Sequence, residues 1–432
     1  MIYIYNILLD LLFVITLPFI AAGVLARRKN REGFFERLGF ISNYTLAALK
    51  QKPVMWFHAA SVGETQALIP VLKEIKKMQP GYNIFVTTTS NNGKKRIIKE
   101  LPEVISHACL LPLDMHFIMG RFVKKISPLI LVIVETEIWP NLIFSASRRN
   151  IPVVMVNGRI SGKSFGGYRF FRMFFRKVLD QFTVLVMQNE KMAVRLRALG
   201  VKDSRMIMIR NTKYSADSGA LSGKFDIRTD GKTVIVGGSI RKGEEKTVIK
   251  SFAPHREKAV LFIAPRHLER TAKIEKILHA CGLSYDKWSR INTRKIIEIK
   301  KDAVIVDTIG QLDRLYEAGD IAVIGGGFLN YGGHNPMEAA LNSMPVIMGE
   351  NMHNFEDTAE QLVSGGGAFM TGNIPEEISE KLGILIDDAG KRAEMGKKNR
   401  DIVEHYRGTA ETTALIVNEI LLESSVKGET NA

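Results

Sequence analysis

IAVIGGGFLNYGGHNPMEAA, residues 321–340, has the form of a short buried strand, a glycine-rich loop and the start of a helix. Asn335 suits the N-cap and Pro336 the first helical position, so we expect the helix to begin near Pro336. The glycines leave little side-chain bulk, and backbone N–H groups at the helix N-terminus can then approach an anionic ligand. Glu338 either meets the helix dipole or accepts a hydrogen bond from a sugar hydroxyl. The stretch therefore indicates a ligand site, with an ordinary strand–loop–helix turn as the alternative.

The same pattern extends along most of the chain. Apolar runs that predict buried strands lie at Val54–Phe57, Ile84–Thr87, Leu129–Val134, Val153–Val156, Val184–Met187, Thr233–Val236, Val260–Ala264, Val304–Val306 and Val346–Met348. Helix-like stretches such as Gln66–Lys77, Ile138–Arg148 and Glu190–Leu199 alternate with them. Alternation of this kind predicts an α/β protein with parallel sheets covered on both faces.

A shift in composition divides the chain. Residues 211–232 are rich in Ser, Asp, Gly and Lys, which is typical of a linker between domains. We therefore expect two Rossmann-like domains, at 31–215 and at 216–432, with a cleft between them. The second of these is expected to include C-terminal helices within residues 391–424.

The N-terminal residues 2–26 are almost entirely apolar, with Asp10 as the one charged residue. Arg27, Arg28, Lys29 and Arg31 follow directly, and no positive charge precedes the apolar run. About twenty apolar residues suffice to cross a bilayer, and basic residues remain on the cytoplasmic side. Residues 1–30 are therefore expected to form a membrane anchor with a basic flank; insertion at the membrane surface and a buried soluble helix are the alternatives.

Composition narrows the class of protein further. The net charge of +15 favours an anionic partner such as a nucleic acid, a membrane surface or a phosphorylated substrate. The chain has only two cysteines, Cys109 and Cys281, which excludes a disulfide framework and a cysteine-based metal cluster.

Polar residues follow two predicted strands of the first half. Glu64 ends HAASVGE (58–64), where it can act as a general base toward a hydroxyl or simply meet the dipole of the next helix. Glu135 begins ETEIWPN (135–141), and a carboxylate there is costly unless it meets solvent, a ligand or a cation.

Lys213 lies at the entry to the linker and is therefore expected near the cleft. It is either an ordinary solvated lysine or a group that neutralises charge during a transfer.

Three turns of the second half suit phosphate or nucleotide. Gly237-Gly238-Ser239 is a small loop after a strand, although it lacks the dinucleotide-binding fingerprint. Arg266, in APRH at 264–267, is well placed to pair with a phosphate. The segment 307–311 offers backbone N–H groups to a base or phosphate. The sequence contains no His, Cys and Asp grouping with metal-ligand spacing.

Together these motifs resemble those of the 3-deoxy-D-manno-octulosonic acid (Kdo) transferases of lipid A synthesis. The resemblance covers nearly the whole chain and depends on HAASVGE (58–64), ETEIWPN (135–141), PRH (265–267) and GGHNPMEAA (332–340). It implies a two-domain GT-B fold, with the acceptor bound by the first domain and the donor CMP-Kdo by the second. It also implies a lipid A precursor as acceptor and a membrane anchor at the cytoplasmic face of the inner membrane.

The resemblance implies roles for individual residues. Glu64 resembles the general base, and Glu135 and Lys213 match positions that stabilise the transition state. The residues matching segments that hold CMP are Pro265, Arg266, Ile309, Gly310, Gln311, Asn335, Pro336, Met337 and Glu338. No metal and no cofactor are implied, since CMP-Kdo is a co-substrate. The expected partners are CMP-Kdo, the lipid A precursor and membrane lipids, with neither nucleic acid nor an obligate protein partner.

The chain departs from its relatives at three places. Arg210-Asn211-Thr212 precedes Lys213 where Gly-Asn-Leu is common, and Asn157-Gly158-Arg159 replaces Asn-Ala-Arg. Ile240-Arg241-Lys242 replaces small and acidic residues, which leaves the role of Ser239 open. The competing hypotheses are another GT-B transferase that uses a nucleotide-diphosphate sugar, and a basic membrane protein that binds nucleic acid, for which no recognised module is present.

Overall fold

The chain forms two compact α/β units. The structure, a computed structural model, describes residues 2–26, 32–212, 225–292, 296–406 and 408–429. The first unit comprises Met1–Ala216 with Tyr406–Ala432, and the second comprises Asp217–His405.

The strands of both units are short. In chain order they are β1 (Val54–His58), β2 (Asn83–Thr88), β3 (His107–Leu110), β4 (Ile130–Val134), β5 (Val153–Gly158), β6 (Val184–Met187), β7 (Met206–Met208), β8 (Asp226–Arg228), β9 (Thr233–Ile240), β10 (Ala259–Pro265), β11 (Tyr285–Lys287), β12 (Ile296–Glu298), β13 (Ala303–Ile305), β14 (Ile321–Ile324), β15 (Val346–Gly349) and β16 (Ala368–Thr371).

The helices separate most of the strands. They are α1 (Ile2–Ala26), α2 (Phe34–Arg37), α3 (Asn43–Leu49), α4 (Val62–Met78), α5 (Asn91–Glu100), α6 (His116–Ile126), α7 (Pro140–Ser147), α8 (Gly162–Phe170), α9 (Arg172–Leu179), α10 (Glu190–Leu199), α11 (Glu244–Phe252), α12 (Thr271–Ala280), α13 (Trp288–Ile291), α14 (Leu312–Ala318), α15 (Met337–Leu341), α16 (Glu356–Ser364), α17 (Pro375–Asp387), α18 (Ala389–Glu404) and α19 (Thr409–Glu429).

The sheet of the first unit is parallel, in the order β3-β2-β1-β4-β5-β6-β7 over its described strands. Successive side chains of a strand point to opposite faces, and here both faces are covered. Trp56 packs into one core cluster, while its neighbours Met55 and Phe57 pack into the other. Burial on both faces explains why these strands are continuously apolar in sequence.

The larger sheet of the second unit is also parallel, with the described strands in the order β11-β13-β10-β9-β14-β15-β16. A separate parallel pair, β8 with β12, lies beside it in the same unit. Ile235, Leu261 and Val323, one from each of the three central strands, share a buried core. The expected α/β architecture with parallel sheets is therefore confirmed.

Helix α1 directs its polar residues toward the protein. The Tyr5 hydroxyl donates to Oδ2 of Asp114 over 3.2 Å, and Nδ2 of Asn141 donates to Oδ1 of Asn6 over 2.8 Å. Ile7, Leu11 and other large apolar side chains of the same helix are more than half exposed. The usual amphipathic arrangement, with the apolar stripe inward, is thus reversed.

A membrane anchor was expected in residues 1–30. Among the described residues, no helix is both long enough and apolar enough to cross a membrane.

Helix α19 differs from the expected domain boundary. The sequence assigned residues 216–432 to the second domain, whereas Tyr406–Ala432 belongs to the first compact unit. Ala414, Val417 and Leu421 are buried in the same core cluster as Leu68 and Leu72 of helix α4. The apolar face of α4 accounts for this placement, because it needs a covering element on its outer side.

Replacing Leu421 by alanine should destabilise the first unit by about 2–5 kcal/mol, since Leu421 is fully buried and its truncation leaves a cavity. The adjacent Leu422 is 48% exposed, and Leu422→Ala serves as the matched control. Chemical denaturation monitored by amide exchange of strands β1–β5 measures the difference. Equal effects of the two substitutions would contradict the packing of α19.

Candidate functional site

The candidate residues of the first unit lie where its strand order reverses. Strand β1 pairs on one side with β2 and on the other with β4, with His58 opposite Ile133. In open parallel sheets, ligands bind outside the carboxyl ends of strands at such a point. Glu64 follows β1 and Glu135 follows β4, so the topology places both at the reversal.

Glu64 is held at the N-terminus of helix α4. Oε2 accepts a hydrogen bond from the Ala60 N–H over 2.6 Å, and Oε1 accepts one from the Ser61 hydroxyl over 2.7 Å. The Ser61 oxygen in turn accepts from the Glu64 N–H, which caps the helix. Only 8% of Glu64 is exposed, so these contacts set its orientation.

The environment of Glu64 raises its pKa to about 7. Burial is the main cause, and the neighbouring carboxylates of Glu137 and Glu135 add to it. The hydrogen bonds from Ser61 and Ala60 act in the opposite direction but do not outweigh burial. A helix-dipole carboxylate is expected to have a lowered pKa, whereas a pKa near neutral suits a general base.

Glu135 occupies a strained backbone conformation. Its φ is +57°, in the left-handed region that a residue with a Cβ rarely adopts, and its N–H donates to the Val156 carbonyl over 2.9 Å. Such strain costs about 1–3 kcal/mol and persists where the surroundings impose it, often at functional sites. Strand β5 thus fixes the direction in which the chain leaves β4.

Two further groups of this site had no assigned role in the sequence analysis. His58 is completely buried, with Nδ1 3.1 Å from the Thr87 carbonyl oxygen and Nε2 3.9 Å from Oε2 of Glu137. The Trp139 indole N–H donates to the same Glu137 oxygen over 2.9 Å. The sequence does contain a hint of their role. His58 lies in HAASVGE, and Glu137 and Trp139 lie in ETEIWPN, and both motifs occur where an apolar strand ends.

Lys213 lies outside the described residues, so its expected role stays a prediction. Its neighbour Thr212 is buried, and its hydroxyl donates to the Ala67 carbonyl of helix α4 over 3.0 Å. The Thr212 N–H donates to Oδ1 of Asn157 over 3.2 Å. The chain immediately before Lys213 is therefore tied to the helix that begins with the Glu64 segment.

Asp114 was missed by the sequence analysis. Its carboxylate accepts from the N–H groups of Asn141 and Leu142 over 3.0 and 2.8 Å, at the start of helix α7. It also accepts from Tyr5, and burial raises its pKa to about 7. Asp114 thus joins α1 to the end of ETEIWPN. No local sequence pattern predicts this contact, because its partners lie far apart in the chain.

In the second unit, two predicted donor segments line one cavity of about 400 Å³. Pro265 ends strand β10 and Arg266 follows it, and Ile309, Gly310 and Gln311 belong to the segment after strand β13. Ser239, which follows the Gly-Gly pair of β9 and has a φ of +55°, also lines it. Ile309 is 84% exposed, so its apolar surface is available to a ligand.

The glycine loop 325–333 is organised by a buried carboxylate. Glu244 is fully buried, and its two oxygens accept from the N–H groups of Gly326, Phe328, Leu329 and Arg241 over 2.7–3.2 Å. A Cβ on Gly325 would lie 2.5 Å from the Ser239 carbonyl oxygen, so only glycine fits there. The loop therefore packs directly on the Ser239 turn.

The end of this loop differs slightly from expectation. Helix α15 begins at Met337 rather than Pro336. It has only five residues, so its dipole is too small to explain the binding of an anion. Pro336 rather than Asn335 occupies the N-cap position, although Oδ1 of Asn335 accepts from the Met337 N–H over 3.1 Å. Nδ2 of Asn335 donates to Glu338, whose pKa burial raises to about 7.

The structure thus groups the predicted residues by unit. Glu64 and Glu135 lie together in the first; Pro265, Arg266 and 309–311 share a cavity in the second. Asn335–Glu338 do not line that cavity, but Arg266 is close enough to Glu338 to lower its pKa. Among the described residues, no group of three or more His, Cys, Asp and Glu side chains is arranged to hold a metal ion.

Solved structures share this fold. A UDP-GlcNAc 2-epimerase from Neisseria meningitidis aligns with a TM-score of 0.60, covering 86% of this chain and 100% of that one at 13% identity. A glycosyltransferase from Rickettsia africae gives 0.58, with 86% and 99% coverage at 13% identity. These neighbours establish the class, two α/β units with parallel sheets as in GT-B enzymes.

Sequence relatives identify the family. A 3-deoxy-D-manno-octulosonic acid transferase from Chlamydophila psittaci is 30% identical over 90% of this chain and 90% of that protein. A second 3-deoxy-D-manno-octulosonic acid transferase, from Haemophilus influenzae, is 27% identical over 94% of this chain and 95% of that protein. The family profile described as 3-Deoxy-D-manno-octulosonic-acid transferase (kdotransferase) matches residues 32–216. The chain belongs to this family of glycosyltransferases.

The acidic limb of the pH–rate profile tests the role of Glu64. A base must be deprotonated, so kcat/KM should rise with pH through an apparent pKa near 7. Glu137→Gln removes a like charge and should move the limb to lower pH by about one unit or less. A limb near pH 4.5, or one that Glu137→Gln leaves in place, would contradict this electrostatic account.

Proposed function

We propose that the chain transfers Kdo from CMP-Kdo to a hydroxyl of a lipid A precursor, with inversion at the anomeric carbon. The main support for this proposal is the buried Glu64 carboxylate, because its pKa of about 7 suits a general base that works near neutral pH. The family assignment supports the sugar that is transferred.

The second unit binds the nucleotide in this proposal. Arg266 is exposed at the carboxyl end of β10, where its guanidinium can pair with the phosphate. The exposed Ile309 offers an apolar face to the cytosine ring, and Gly310, with a φ of +81°, brings backbone groups close to it. Both segments line the same cavity, which is why we assign them to one ligand.

The chemistry is a single displacement. The acceptor oxygen bonds to the anomeric carbon as the bond from that carbon to the phosphate oxygen breaks, and CMP leaves with the electron pair. Glu64 takes the hydroxyl proton. The anomeric centre becomes positively charged in the transition state, which Glu135 stabilises, while Arg266 and Lys213 offset the charge on the departing phosphate. In this proposal, no metal ion or cofactor takes part.

The decisive assay combines the purified chain with CMP-Kdo and a tetraacylated lipid A precursor and detects the product by mass spectrometry. Glu64→Gln should lower turnover by about 10²–10⁴, the usual share of a general base. Glu74→Gln, on the same helix but in a surface ion pair with Lys77, should retain it. Near-normal turnover of Glu64→Gln would refute the assignment of the base.

Calorimetric titration separates the proposal from its main rival. The cavity should bind CMP more tightly than UDP in the wild-type chain. Tighter binding of UDP would favour a transferase that uses a nucleotide-diphosphate sugar. Addition of EDTA should leave turnover unchanged.

We also propose that helix α1 inserts at the surface of the inner membrane, on its cytoplasmic face. Its polar residues Tyr5 and Asn6 are used in docking to the protein, which leaves the apolar stripe of Ile7, Leu11 and Ile15 exposed. Phe171 of the first unit lines an apolar groove together with Ile4 and Leu8 of α1, which extends the apolar surface. The basic residues after position 26 add attraction to anionic lipid.

Co-sedimentation with vesicles of phosphatidylethanolamine and phosphatidylglycerol tests this attachment. The double variant Ile7→Ser/Leu11→Ser should reduce binding at least about tenfold, because each side chain contributes on the order of 2 kcal/mol when buried. Leu415→Ser changes a leucine of helix α19 that is 51% exposed, and this variant should bind as the wild type does. Unchanged binding by the double variant would exclude α1 as the attachment site.

A further inference from the structure

Two arginines emerge side by side from the central strands of the second unit. Strand β9 pairs with β10 so that Ile240 lies opposite Pro265, and the Arg266 N–H donates to the Ile240 carbonyl over 2.9 Å. Arg241 follows one paired residue and Arg266 follows the other. The sheet register therefore brings two guanidinium-bearing residues to the same edge.

The backbone of Arg241 is rigidly placed. Its N–H donates over 2.9 Å to Oε2 of Glu244, the oxygen that also accepts from Gly326 over 2.7 Å. Arg241 is thereby tied to the glycine loop through a fully buried carboxylate.

The Arg241 side chain does not itself line the cavity, but it contacts His267, which lines it together with Arg266. Nη1 of Arg241 lies 3.3 Å from Nε2 of His267, and its guanidinium carbon lies 4.7 Å from the centre of the Tyr331 ring. Nε of Arg241 is buried and has no hydrogen-bond partner within the described residues. An unpaired donor of this kind is costly unless a ligand satisfies it.

The surrounding charge is positive. Neither Arg241 nor Arg266 has a carboxylate within 4.0 Å among the residues that the structure describes. Both arginines, with His267, act with burial to lower the pKa of His334 to about 4, so His334 is neutral and adds no charge of its own. Of the nearby acids, Glu245 pairs with Arg270, Glu269 lies 4.0 Å from His267, and Glu338 is close enough to Arg266 for that arginine to lower its pKa.

We infer that Arg241 is an additional anion-binding residue beside the donor cavity, where it and Arg266 hold an oxyanion of the bound nucleotide sugar between them. This inference rests on the proposed function, and the oxyanion is either the phosphate or the carboxylate of the sugar acid. Two like charges that follow paired residues of neighbouring strands are favoured when an anion lies between them. Stacking on Tyr331 holds the guanidinium in place before the ligand arrives.

Calorimetric titration of the full chain with CMP and with cytidine tests the inference. If the oxyanion is the phosphate, Arg241→Gln should weaken CMP binding about tenfold or more, the usual loss for a charge-assisted hydrogen bond, and leave cytidine binding unchanged. Lys250→Gln, which removes the same charge from an exposed position on helix α11, should bind CMP as the wild type does. Thermal melting of both variants confirms that they are folded.

The two sources of the oxyanion are distinguished by kinetics. If Arg241 holds the phosphate, Arg241→Gln weakens CMP binding itself; if it holds the sugar carboxylate, CMP binding is retained and KM for CMP-Kdo rises about tenfold. Wild-type CMP affinity together with wild-type KM in Arg241→Gln overturns the inference and leaves the proposed function standing. Absence of CMP binding by the wild-type chain overturns both.

Discussion

Parallel strands that are buried on both faces leave few places for polar chemistry. Every residue within β1, β4 and β14 is buried, so polar groups lie at the carboxyl ends of these strands, as His58 does, or in the loops that follow them. Glu64 and Glu135 follow adjacent strands of one sheet, and Arg266 and the glycine loop follow two strands of the other that both pair with β9, near whose end Ser239 lies. The positions of these residues are a consequence of this single constraint.

Buried carboxylates then fix the loops that carry those residues. Glu244 gathers four backbone N–H groups, and Asp114 holds the start of helix α7 together with Tyr5 of α1. Such groups are costly to bury unless every acceptor oxygen is used, and here both oxygens of each carboxylate accept. Two strained residues lie beside such fixed contacts: the Glu135 N–H donates to the Val156 carbonyl, and the Arg241 N–H, two residues after Ser239, donates to Glu244.

Local pattern predicted much of the fold from the sequence. Strands β6 and β14 and helix α10 have the bounds expected from their apolar periodicity, because burial there depends on a few adjacent residues. The placement of α19 could not be predicted, since it depends on which distant surface needs covering. The Glu244 contacts join residues more than eighty positions apart, and sequence spacing carries no information on such pairs.

Direct titration of the Glu64 carboxyl group tests the central claim that burial prepares this residue as the base. Difference infrared spectroscopy of the wild type against Glu64→Gln isolates its protonated carboxyl band. The account predicts a band that is present at pH 5 and is lost with a midpoint near pH 7. Loss of the band with a midpoint near the ordinary value of 4.5 would contradict it.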